Sequence, residues 1–203
     1  MPPPRGLIIV DVQNDFCEGG SLAVAGGAEV AGRISAHVAQ NAASYAAIVA
    51  TADWHENPGD HFSDTPDFAR SWPPHCRIGT DGALFHPDAE RAVKQVQAVF
   101  RKGRHSAAYS GFEGVSVEAG RQVTLADWLR DRAIEQVDVV GIATDYCVRA
   151  TALDAVKEGF ETMVLLDLTA GVAPESTRRA QADFAAAGVA VLGRACEGVR
   201  LSP

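Results

Sequence analysis

Short apolar runs separated by helical patterns set the strongest limit on what this chain can fold into. Leu7 to Val10, Ala46 to Ala52, Val96 to Phe100, Val137 to Ile142, Thr162 to Leu166 and Val189 to Leu192 are all of strand length and rich in alanine and β-branched residues. Near-continuous apolar runs of this kind suit strands covered on both faces. Ala28 to Tyr45 puts Val30, Ile34, Val38 and Ala42 on one helical face, and Thr124 caps a helix reaching about Ala133. A helix through Cys147 stops at Gly159, and another starts at Pro174 and ends at Gly188. This alternation predicts an α/β fold: a doubly wound, Rossmann-like, mostly parallel six-stranded sheet with helices on both faces. A chain of 203 residues, 47% hydrophobic, suits one such domain spanning 1–203.

Charge and composition remove several partner classes. The net charge of −8 argues against nucleic acid and anionic membrane surfaces. No apolar run approaches the roughly 20 residues that span a bilayer. Met1 to Arg5 leads directly into a strand with no signal-peptide core. The four cysteines (17, 76, 147 and 196) are too few and scattered for a disulfide framework. The expectation is a reduced cytoplasmic protein, monomeric or a small homo-oligomer, whose partner is a small molecule.

The strand ends carry the chemistry. Asp11, Asp53, Lys102 and Cys147 each lie just beyond one of the first four apolar runs. In a parallel sheet those ends share one edge, where ligands bind at the topological switch point. Thr144 reads as an N-cap that puts Cys147 in the first turn of its helix, where free N–H groups and the helix dipole favour a thiolate. The same N–H groups would hold an oxyanion, with Gly141 and Ala143 leaving the turn bare of side chain. Asp11 is placed to take the thiol proton, and Lys102 to balance the two anions.

A second constellation runs through Asp53, His55, His61 and His75, in a stretch from Trp54 to about Pro87 without hydrophobic periodicity. A loop this long inside a compact domain is usually functional. Nitrogen and oxygen donors of this kind suit zinc, iron or manganese and not calcium. Three of the six histidines fall here beside an acid, while His37, His86 and His105 stand apart and read as structural or exposed. Phe16, Trp72 and Tyr109, in loops on the same edge, are placed to sandwich a flat ring.

These residues resemble a known family. Ile9-Val10-Asp11-Val12-Gln13-Asn14-Asp15-Phe16, Asp53-Trp54-His55 with Pro58-Gly59-Asp60-His61-Phe62, and Ser71-Trp72-Pro73-Pro74-His75-Cys76 carry the likeness. Phe100-Arg101-Lys102-Gly103, Tyr109-Ser110-Gly111-Phe112 and Gly141 through Val148 continue it in order. The chain resembles the nicotinamidases (pyrazinamidases) of the isochorismatase-like cysteine hydrolase superfamily, in their actinobacterial form. The resemblance implies that fold, with an Asp11–Lys102–Cys147 triad and one divalent metal ion on Asp53, His55, His61 and His75. It implies a cis peptide between Ile142 and Ala143, with an oxyanion hole at the N–H groups of Ala143 and Cys147. It places Phe16, Trp72, Tyr109 and Ala143 about the substrate ring, with Tyr146 at the pocket edge where many relatives carry histidine.

The implied activity is hydrolysis of nicotinamide to nicotinate and ammonia through a cysteine thioester, in NAD salvage, with pyrazinamide as a further substrate. Three rivals remain at this point: a related cysteine amidase acting on a ureido or carbamoyl compound, a non-catalytic ligand-binding module, and a redox-sensing thiol at Cys147. The histidine-rich loop argues against the first, and the intact trio of Asp11, Lys102 and Cys147 against the second.

Overall fold

The computed structural model describes residues 3–197. Met1, Pro2 and residues 198–203, which belong to the start and end of the expected domain, lie outside the described residues. Nine strands form one sheet: β1 (Arg5–Val10), β2 (Ala47–Asp53), β3 (Ala98–Lys102), β4 (Val115–Glu118), β5 (Arg121–Thr124), β6 (Gln136–Ile142), β7 (Glu161–Gly171), β8 (Ala190–Leu192) and β9 (Cys196–Glu197). Five α-helices accompany them: α1 (Gly27–Asn41), α2 (Glu90–Val93), α3 (Leu125–Arg130), α4 (Arg149–Lys157) and α5 (Pro174–Ala187). The sheet order is β5-β4-β3-β2-β1-β6-β7-β8, with β9 also on β7. Only β4 runs antiparallel to its neighbours β3 and β5.

Alternate residues of each central strand feed two cores. Leu7 and Ile9 of β1 pack with Val30, Ile34 and Val38 of α1 on one face. Ile8 and Val10 pack on the other, with Trp128 of α3, Ala152 and Ala155 of α4 and Phe184 of α5. This alternation is the side-chain period of a strand, with a layer of helix on each side. β1 lies between β2 and β6, so the chain reverses direction across the sheet there and a crevice opens at the carboxyl ends. Gly141 (φ +120°) keeps that seam tight, because a Cβ there would meet the backbone of Val10.

Six strands were expected and nine are present among the described residues. The hairpin β4–β5 falls in what reads as a polar loop; its strands are short and none of their residues is fully buried. Its two-residue turn, Ala119 (φ 49°) and Gly120 (φ 79°), takes positive φ at both positions, a conformation that asparagine or aspartate before glycine would have advertised. β9 is only two residues long. β7 does not end before Asp167 but continues to Gly171 through a register shift against β6, so the acid sits within the strand. α1 stops at Asn41, and Ala42 to Ser44 tighten into a 3₁₀ turn. No helix among the described residues is long and apolar enough to cross a membrane.

Candidate active site

The switch point gathers residues from four strands. Asp53 and Lys102 are register partners at the ends of β2 and β3, so their side chains leave the sheet on the same side. Lys102 Nζ bonds Asp53 Oδ1, lies 2.9 Å from Asp11 Oδ2, and is 3.6 Å from Cys147 Sγ. It also donates to the Ala108 carbonyl at 3.4 Å. All four side chains are buried. Asp11 sits at φ 48°, a left-handed conformation costing a non-glycine residue on the order of 1–3 kcal/mol. It is held there by its N–H to the Thr51 carbonyl (3.3 Å) and by the Thr51 hydroxyl, which donates to Asp11 Oδ1 at 2.6 Å. Asp11 Oδ2 faces Lys102 Nζ and has no hydrogen bond of good geometry among the described residues.

Charge states follow from burial and neighbours. Burial pushes the Asp11 carboxyl above its ordinary range, against the opposing pull of Lys102. Burial would also raise Asp53, but Lys102 and the adjoining histidines outweigh it and hold Asp53 well below the usual carboxylate range. Burial would lower Lys102; Asp11 and Asp53 outweigh it and keep the ammonium charged. Burial drives the Cys147 thiol well above its usual value; Lys102 opposes this, while Asp11 and Asp53 add to it. This direction opposes the pull towards a thiolate expected from the helix start. Cys147 thus holds its proton more tightly than a free thiol, beside the Asp11 carboxyl, whose own proton affinity is raised.

The local backbone differs from the expected helix start as well. Thr144 to Val148 form a π-helical turn with Ala143 at its N-cap, and α4 begins only at Arg149. Thr144 does not cap the turn; its hydroxyl donates to Thr169 Oγ1 at 2.8 Å. The Ile142–Ala143 peptide is cis. Cys147 therefore lies on a widened turn of the kind found at functional sites.

His55, His61 and His75 are buried, with a donor atom of each within 4.8 Å of the others. Asp53 Oδ2 lies 3.5 Å from His55 Nε2 and 3.7 Å from His75 Nε2. Two donors bound to one ion at about 2.0–2.2 Å sit a little over 3 Å apart, close to these separations. His55 Nδ1 bonds the Gly103 carbonyl at 2.5 Å and His75 Nδ1 that of Pro73 at 2.8 Å, which turns both Nε2 atoms inward, as second-shell carbonyls do for metal-binding imidazoles. His55 Nε2 and His61 Nδ1 are buried without a partner among the described residues. Burial, then the charges of His75 and His55, bring His61 down to about 4, so it presents a neutral ring. This donor set fits a divalent ion such as zinc, iron or manganese. His37, by contrast, bonds Tyr45, His86 accepts from the Asp88 N–H, and His105 is exposed.

Phe16, Trp72, Tyr109, Ala143, Tyr146 and Cys147 line one pocket with Asp53, His61 and His75, and this pocket is partly open to solvent. Trp72 Nε1 donates to the Tyr109 hydroxyl at 3.0 Å. Asp11 and Lys102 are not among the pocket's lining residues; Lys102 reaches it through Asp53 and Cys147, which are. Leu22, Val24, Ala108, Ile142 and Val172 complete the lining; as lone apolar residues they carry no sequence signal.

Other supporting residues escaped the sequence reading too. Gln13 is fully buried: its amide accepts from the Asp53 N–H (2.8 Å) and donates to the Asp53 and Ala83 carbonyls (both 2.9 Å). Gly103 (φ +76°) passes so close to His55 that a Cβ would meet the ring at 2.5 Å. Phe62 packs among all three imidazoles at centroid distances of 5.2–5.9 Å. Gln13 lies within the Ile9–Phe16 motif, but nothing in sequence says which backbone a buried amide will bind.

Residues 5–196 match the model of the isochorismatase domain. The chain is 58% identical over 185 residues to the nicotinamidase/pyrazinamidase of Mycobacterium tuberculosis, covering 91% of this chain and 96% of that one. The pyrazinamidase of Pyrococcus horikoshii, solved in complex with zinc, superposes with a TM-score of 0.75 at 37% identity, over 94% of this chain and 99% of that one. The PnC1 protein of L. infantum, solved in complex with nicotinate, gives 0.78 at 36% identity, over 94% and 92%.

Proposed function

The chain belongs to the isochorismatase family, and from that premise and the geometry of its site we propose that it hydrolyses nicotinamide to nicotinate and ammonia through a thioester on Cys147. Pyrazinamide, which has a ring nitrogen in place of one CH, is a second substrate. One observation carries the reading: Cys147 Sγ stands 3.6 Å from a buried Lys102 that also contacts Asp11, at the floor of an aromatic pocket next to three buried imidazoles. The similarity to nicotinamidases and pyrazinamidases, one crystallised with zinc and one with nicotinate, supports it.

In this mechanism Asp11 takes the Cys147 proton and Lys102 stabilises the pair of anions. The thiolate attacks the carboxamide carbon, and the N–H groups of Ala143 and Cys147 receive the developing oxyanion. Asp11 returns its proton to the nitrogen, the C–N bond breaks, and ammonia leaves a nicotinoyl thioester. Water, losing a proton to Asp11, adds to the thioester carbon; the C–S bond then breaks, nicotinate departs and the thiol re-forms. Phe16, Trp72 and Tyr109 hold the ring, with Tyr146 at its edge. Asp53, His55, His61 and His75 would hold one divalent ion, which when bound would supply a Lewis-acidic point for orienting the substrate ring.

The enzyme acts in the cytoplasm, in pyridine nucleotide salvage. Four free cysteines and a net charge of −8 support a reduced compartment and argue against nucleic-acid or membrane partners. The test is ammonia release from nicotinamide by metal-loaded protein, with a ureido amide and an EDTA-treated sample in parallel. Metal-dependent release from nicotinamide alone is expected. Release only from the ureido amide would overturn the substrate, and silence on every amide would favour a binding module.

A further inference from the structure

Outside the catalytic pocket lies a second, larger concavity, bounded by Glu18, Ala25, Phe68, Glu175 and Arg179 among others. Leu22, Trp72, Tyr146 and Val172 belong to the walls of both spaces. These four side chains therefore form a neck between the site of chemistry and an open groove. Trp72 is the fixed side of that neck: it is buried, its indole N–H is held by Tyr109, and its backbone is paired with His61 and Ser63. Val172 and Leu22 are aliphatic and short. Tyr146 is the remaining large group, half-buried, with its ring edge-on to Trp72 at 5.0 Å and stacked beside Tyr109 at 6.2 Å. Among the described residues its hydroxyl reaches only the Phe68 carbonyl, at 3.4 Å.

We infer that the ring of Tyr146 sets the upper size of the aromatic amide this enzyme accepts, by closing the neck between the catalytic pocket and the outer groove. The catalytic pocket behind it is the smaller of the two spaces. A ring bearing a fused or bulky substituent directed at the neck must displace the Tyr146 ring, and a hydrophobic wall in the wrong place rejects such a substrate through overlap rather than through a lost contact. Removing the Tyr146 ring would join the two spaces without touching Asp53, the histidines or Lys102. The groove then becomes a subsite for the extra ring, with Leu22, Phe68 and Val172 as apolar walls. This inference rests on the proposed nicotinamidase activity and deepens it.

The experiment compares kcat/KM for quinoline-3-carboxamide, a benzo-fused nicotinamide, with that for nicotinamide, in the metal-loaded wild type and in Tyr146→Phe, Tyr146→Leu and Tyr146→Ala. The ratio of the two constants is expected to rise at least about tenfold in the Leu and Ala variants and to stay within about twofold of wild type in Phe, which keeps the ring. If Tyr146→Ala does not fold, as read by its melting curve, Tyr146→Leu decides. An unchanged or lowered ratio in the Leu variant overturns the inference. A wild type inactive on nicotinamide would instead overturn the proposed function, so the two failures are distinguishable.

Discussion

Lys102 is the residue on which the site's charge balance turns. Its ammonium is buried against the carboxylates of Asp11 and Asp53 and the Cys147 sulfur, and removing one member of such a group leaves the others buried and uncompensated. The histidines beside it make a pH prediction. His61 titrates at about 4 in the folded chain against 6.5 ordinarily. The unfolded state thus binds the proton first, and the contribution of His61 to stability is fully present above about 6.5 and lost as pH falls towards about 4. Melting of the metal-free protein should therefore move to lower temperature between pH 7 and pH 5, and the drop should shrink in His61→Gln. An equal drop in both would contradict it. At this scale the sequence was informative wherever a reactive side chain followed a strand. Asp11, Asp53, Lys102 and Cys147 were legible as a set, and so was the histidine loop. Gln13, Thr51 and Gly103 were not, because their roles lie in backbone carbonyls and N–H groups that only the fold brings near.

At the scale of elements, the turn carrying Cys147 is fastened from behind. Asp145, buried, accepts from the N–H groups of Val172 (3.0 Å) and Ala173 (3.3 Å) and from the Ser176 hydroxyl (2.5 Å). One carboxylate thereby ties the π-helical turn to the start of α5, where the dipole favours a negative charge. Asp145→Ala should lower stability by roughly 1.5–3 kcal/mol, the range for bonds to a charged group, which is several degrees in Tm for a domain of this size. Thermal unfolding checks it, with Ser176→Ala showing a smaller loss; a Tm unchanged in both would contradict the clamp. Strand and helix positions were readable from periodicity, with ends shifted by a few residues. The π turn and the β4–β5 hairpin were not: one depends on tertiary contacts from β7 and α5, the other on a turn whose Ala119 hides its left-handed backbone.

At the scale of the molecule, the fold supplies an edge, β2 brings Asp53 to it, and the long loop of residues 54–87 brings His55, His61 and His75, the other ligands proposed for the metal. That loop lacks periodicity because it is held by scattered backbone pairings, such as His55 with Cys76 and Ile78, and Trp72 with His61. A bound ion should therefore account for much of its order. Ligand binding to the native state alone stabilises by about 4 kcal/mol at a thousandfold excess over Kd. Treatment with EDTA should lower Tm and raise amide hydrogen exchange in residues 54–87 ahead of the central strands, and uniform exchange throughout would contradict this. The central claim, a covalent intermediate on Cys147, is tested most directly by acid-quenching the enzyme during turnover of nicotinamide and reading its intact mass. The account predicts a species heavier by one nicotinoyl group, located at Cys147 by peptide mapping and absent from Cys147→Ala, which makes no nicotinate. Nicotinate formed at the wild-type rate by Cys147→Ala would contradict it.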